Sequence, residues 1–142
     1  MTNNKLSYYR LSLLSFLKES HPELAKNSSF INSRGDLAAT AYSDAIKNGS
    51  SHEQAAEMAN EILFNGLHFS RYDTIINALW NEFSEEVPQG SAKNFALKLL
   101  PVCEPVFAKY SLSDYFAYTP EYDSLYTELT GTIIIWLEEH EL

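Results

Sequence analysis

A single cysteine, Cys103, means that no disulfide can close within the chain, which fits a reducing compartment. Glycine and proline are scarce, five of each in 142 residues, and this argues against a loop-rich or many-turned all-β fold. No apolar run approaches the length of a membrane span. The nearest imitation of a signal peptide, residues 11–17 behind Lys5 and Arg10, is broken by serines and followed by no small-residue cleavage pattern. The expectation is a cytoplasmic protein with no membrane partner. Basic residues are few as well, 10 against 19 acidic, for a net charge of -9. Residues 1–51 hold six basic and four acidic side chains (+2), whereas residues 52–142 hold four and fifteen (-11). The field of the larger part opposes phosphate binding, so direct nucleic-acid binding is not expected. The acidic excess is either simply a solvated surface or the docking side for a basic protein partner.

Hydrophobic content of 45% and charged content of 20% are those of a globular chain. The length suits one domain over residues 1–142, burying roughly two-thirds of the unfolded surface. Leu6, Tyr9, Leu13 and Phe16/Leu17 recur at helical spacing and predict a first helix ending before Pro22. A second helix follows the polar patch 26–29, with Phe30, Leu37, Ala38, Ala41, Tyr42, Ala45 and Ile46 as its inner face. Arg34-Gly35 weakens its first turns and moves the expected start towards Ser33. Asn48-Gly49 closes it.

Ser51 and Gln54 have capping-box spacing and open a third helix with Ala55, Ala59, Ile62 and Leu63 inward, ended by Gly66. Ser70 and Asp73 open the fourth, which buries Tyr72, Ile75, Ile76, Leu79, Trp80 and Phe83. Ser91 starts a fifth, and Pro101 and Pro105 predict a kink or break followed by a short helical piece through Phe107. Thr119-Pro120-Glu121 is a strong helix start, with Thr119 as the cap. The last helix buries Tyr122, Leu125/Tyr126, Leu129, Ile133 and Trp136/Leu137. Residues 132–137 are also β-branched enough for a strand, but no second strand exists to pair with them. The expected fold is all-α, a single compact domain of about six helices.

The chemistry-bearing motifs are incomplete. His52-Glu53-Gln54-Ala55-Ala56 has alanine where a zinc-binding helix needs its second histidine, and His21, His68 and His140 have no ligand spacing, so no metal or cofactor is expected. Ser70 lacks the strained elbow of a nucleophile, and Gly66 stands alone without a phosphate-loop lysine. Arg34-Gly35-Asp36 spells an adhesion tripeptide inside an expected helix and is read as coincidence. A helix-turn-helix over the third and fourth helices would have only Arg71 to neutralise phosphate. Glu53, Glu57 and Glu61 form a solvated acidic ladder. Within residues 66–83 the capping and packing roles leave His68, Arg71, Asn77 and Asn81 over as candidate binding residues. Glu128 from the last helix joins them. Ile134, Ile135 and Trp136 fall outside or at the edge of the last helix's inner stripe and predict an interface, including self-association as a homodimer.

Gly66-Leu-His-Phe-Ser-Arg-Tyr-Asp-Thr74, Leu79-Trp-Asn-Glu-Phe83, Glu121-Tyr122, Leu125-Tyr-Thr-Glu-Leu-Thr-Gly-Thr132 and Asn32-Ser-Arg34 resemble a family of small Bacteroides-type proteins of unknown function, often encoded near conjugative transposons. The resemblance implies an all-helical fold and supplies no catalytic residues. The functional expectation is a non-enzymatic, acidic protein-interaction or regulatory module, with a mobile-element setting. The alternatives are a ligand-binding or catalytic domain centred on His68, Arg71 and Asp73, and a DNA-binding or DNA-mimicking protein.

Overall fold

The computed structural model describes the backbone of residues 2–140 and the side chains of residues 5–140. Six α-helices are present among the described residues: α1 (Thr2–Ser20), α2 (Ser28–Lys47), α3 (His52–Leu63), α4 (Arg71–Glu82), α5 (Ala92–Phe107) and α6 (Glu121–Glu139). There is no strand among the described residues, so 132–137 is helical. The fold is all-α. Contacts group the chain into two compact units, Met1–Leu67 and His68–Leu142.

In the first unit, Tyr9, Leu13 and Leu17 lie one turn apart on α1 and are fully buried, each contributing about 2 kcal/mol from removal of apolar surface from water. Opposite them α2 offers small residues, Gly35, Ala38 and Ala39, with Ile31 and Ala45 at the ends of the stripe. A Cβ on Gly35 would sit 2.8 Å from Arg10 Cγ, so the glycine read as a weak point is where α1 and α2 touch. The inner face of α2 is therefore rotated from the expected one, and Leu37 is 60% exposed. The helix also starts earlier than Ser33, because the Asn27 side chain accepts the Phe30 N–H at 3.0 Å.

Ser51 and Gln54 form the full reciprocal capping box on α3, at 3.2 and 3.0 Å. At the other end of α3, Arg34 Nη1 donates to the carbonyls of Ile62, Leu63 and Asn65 at 3.2, 3.2 and 2.8 Å. A cation there satisfies carbonyls that have no helical partner and complements the helix dipole. Asp36 pairs with Arg10 at 3.3 Å, so all three residues of the Arg-Gly-Asp tripeptide have structural roles. Buried His21 donates its Nε2–H to the Leu67 carbonyl at 2.7 Å, tying the α1–α2 connection to the segment after α3.

In the second unit, Ser70 accepts the Asp73 N–H at 2.9 Å and Thr74 Oγ1 donates back to the Ser70 carbonyl, which sets the start of α4. Tyr72, Ile75, Ile76, Leu79 and Phe83 are buried as the pattern predicts. Trp80 is not: it sits at the edge of that stripe and is 44% exposed. A short 3-10 turn at Gln89–Ser91 precedes α5, and the Ser91 side chain forms no cap.

The break expected in α5 is absent, because the helix carries both prolines internally through Phe107. Leu97, Pro101 and Pro105 are spaced by four along its exposed side. The carbonyls that lose an N–H partner to the prolines, those of Leu97 and Pro101, are thus on the side facing water. A second 3-10 turn, Phe116–Tyr118, packs Phe116 against Phe69, Tyr110 and Tyr122 at centroid separations of 5.2, 5.7 and 6.3 Å. The start of α6 is at Pro120-Glu121, but the Thr119 hydroxyl donates backwards to the Phe116 carbonyl at 2.7 Å instead of capping the helix. Leu125, Leu129, Ile133 and Leu137 form the buried stripe of α6.

Candidate functional site

The five candidate binding residues all belong to the second unit, and four of them, His68, Arg71, Asn81 and Glu128, engage different side chains. At the start of α4, the His68 backbone N–H donates to Asp114 Oδ1 at 3.1 Å while its ring is exposed. Gly66 just before it has φ of +80°, a conformation that suits glycine and turns the chain out of α3. Arg71 pairs with Glu104 of α5 at 2.5 Å, joining the first turn of α4 to the last turn of α5. Ser70 is buried and acts as a cap, so its hydroxyl is a structural acceptor.

Glu128 is held by Lys109 Nζ at 2.6 Å and by the Tyr110 hydroxyl. The Lys109 bond, with that of Tyr110, holds the Glu128 carboxyl below the usual carboxylate range, and the same carboxylate pushes the Tyr110 hydroxyl up. Asn77 and Asn81 lie one turn apart on the exposed side of α4. Asn81 reaches the Tyr126 hydroxyl, which also donates to Glu82 Oε2 at 3.1 Å. Burial pushes the Tyr126 hydroxyl up. The charged candidates Arg71 and Glu128 are therefore each engaged by a different partner on or just after α5.

Ile134 and Ile135 are 42% and 57% exposed on α6. Trp136 differs from them. It is half-buried, meets Phe95 edge-on at 6.0 Å and is stacked by His140 at 4.1 Å, with His140 Nδ1–H donating to the Trp136 carbonyl at 2.8 Å. Trp80, assigned to the core by its spacing, instead borders a hollow of about 370 Å³ with Ser84, Val87 and Gln89. Asn77, Trp80 and Asn81 share one exposed strip of α4, and Ser84 lies just past the end of the helix.

In the first unit, sequence reasoning missed a constellation across the α2–α3 turn. The Tyr42 hydroxyl and His52 Nδ1 share a hydrogen bond of 2.7 Å, and Lys5 Nζ lies 4.2 Å from the centre of the Tyr42 ring. The available signal was the glycine turn at Asn48-Gly49, which folds α3 back on α2 and brings together residues ten apart. Among the described residues no three His, Cys, Asp or Glu side chains group to hold a metal ion, and no helix is long and apolar enough to cross a membrane.

The helices and their surfaces define a small all-α protein, with polar groups such as Ser51, Ser70, Arg34 and Arg71 serving caps and pairs. The chain belongs to the family described as Domain of unknown function (DUF1896), which matches residues 1–142. It is similar to the protein in the crystal structure of protein PG0816 from Porphyromonas gingivalis, at 47% sequence identity, 99% coverage of this chain, 96% of that chain and a TM-score of 0.94. The comparison with curated proteins gave no match.

Proposed function

We propose that the chain is a non-enzymatic interaction module whose second unit docks on a basic protein. The observation that carries this reading is the adjacent exposed pair Ile134 and Ile135 on a unit with four basic and twelve acidic side chains, a net of -8. Apolar side chains left in water beside one another mark contact surfaces, and the surrounding negative field selects a partner of opposite sign. A second copy of the same unit would bring -8 against -8, so a different, basic chain is the favoured occupant. The catalytic alternative has less support, since Arg71 and Glu128 are paired internally and Ser70 is a buried cap. A cytoplasmic setting suits the lone buried thiol of Cys103, and a regulatory role in a mobile genetic element is part of the same reading.

The test is affinity capture from the native host with the wild-type chain and with Ile134→Ser/Ile135→Ser, followed by binding measurements on the purified partner at increasing salt. A basic partner is expected whose affinity falls with salt and at least tenfold in the double variant. An acidic or neutral partner, or one unaffected by the double variant, contradicts the proposal. Concentration-dependent dimerisation lost in the double variant would assign the face to self-association instead.

A further inference from the structure

Outside the acidic unit, two lysines and a histidine surround an apolar cavity of about 250 Å³ bordered by Lys5, Tyr42, Ser43, Ile46, Lys47 and His52. Three helices build it. Lys5 comes from α1, Tyr42 to Lys47 from the last turns of α2, and His52 is the first residue of α3. The Tyr42 ring is fixed from two directions, by the hydrogen bond and ring stacking with His52 and by the Lys5 ammonium over its face. Tyr42 and Ile46 supply the apolar wall. Among the described residues neither Lys5 nor Lys47 is paired with a carboxylate. Asp36 and Asp44 border an adjoining hollow that shares Ser43 and Lys47, and Asp36 is already bound by Arg10.

We infer that this cavity binds a compact organic carboxylate, with its apolar body against Tyr42 and Ile46 and its anionic end between Lys5 and Lys47. Size supports one ring and a short acid arm, since a cavity of about 150 Å³ already accepts benzene. Charge supports the anion: two ammonium groups at an apolar hollow attract a carboxylate more strongly than they would in open water. His52 uses Nδ1 for Tyr42, which leaves Nε2 as the ring nitrogen outside that bond. The inference is independent of the interaction reading, whose residues all lie in the other unit.

The test is an NMR titration of the full chain with phenylacetate, its neutral amide and inorganic phosphate. Phenylacetate is expected to give saturable shifts at Tyr42, Ile46, Lys47 and His52, with the amide and phosphate each binding about tenfold more weakly. Lys47→Met, at an exposed position, is expected to weaken phenylacetate about tenfold without changing the amide, and Lys5→Met to act in the same direction. Absence of saturable shifts at those residues overturns the inference. So does equal binding of the amide, equal binding of phosphate, or indifference to both lysine variants.

Discussion

The two units fill their cores with different contacts. In Met1–Leu67 the large residues Tyr9, Leu13 and Leu17 of α1 pack against a stripe of α2 in which Gly35, Ala38 and Ala39 let the helices approach closely. In His68–Leu142 the core is made of phenylalanine, tyrosine, leucine and isoleucine, and volume matters most. Charge divides along the same boundary: six basic and seven acidic side chains in the first unit, against four and twelve in the second. A helix contact made through small residues tolerates little addition, while buried large residues tolerate little removal. The same boundary separates the two proposed binding surfaces, a cationic hollow in one unit and an acidic, partly apolar face in the other.

The largest expected effect is in the second unit. Phe107, fully buried in α5, should cost about 3–5 kcal/mol when truncated to alanine, measured by urea unfolding. In the first unit the sharper change is an addition. Gly35→Leu forces a side chain into the space of Arg10 Cγ and should cost about 1–3 kcal/mol, although leucine is the better helix former. If Gly35→Leu were neutral, the close-approach account of α1 and α2 would fail.

Arg34→Met comes next. It removes three donor contacts at the end of α3 and should cost about 1–2 kcal/mol, with faster amide exchange in the last turn of α3. Unchanged exchange there would show that water satisfies those carbonyls equally well. The smallest effect is at the surface of the acidic unit. Because Lys109 and Tyr110 depress the Glu128 pKa, the stabilisation from that network is present above the carboxylate's unfolded pKa and is lost as pH falls through its folded value. Lys109→Met should return Glu128 towards its ordinary range in an NMR titration. The stability difference between variant and wild type should shrink in acid.

These contrasts explain which features were legible. The caps at Ser51 and Ser70 follow from residues three apart, and the inner faces of α4 and α6 follow from a long period of apolar residues, so local pattern sufficed. The inner face of α2 did not follow, because Gly35 contributes contact through what it lacks, and hydrophobic pattern gave weight to Leu37 instead. Pro101 and Pro105 looked like breaks because their cost depends on whether the freed carbonyls face water, which the sequence alone does not say. The role of Arg34 did not follow either, because its three acceptors are more than 25 residues away. Tyr42 and His52 were each given bland roles separately, and only the turn between their helices makes them a pair. His68, Arg71, Asn77 and Asn81 are what capping and packing roles leave over in residues 66–83, and the partners of His68, Arg71, Asn81 and Glu128, namely Asp114, Glu104, Tyr126 and Lys109, are set by packing.

Division of binding between the two units is the central claim, and hydrogen-exchange footprinting of the full chain with and without its captured partner tests it most directly. The account predicts slowed exchange on partner binding in α6 around Ile134 and Ile135, with α1, α2 and α3 unchanged. Protection confined to α1, α2 or α3, with α6 unaffected, would contradict it.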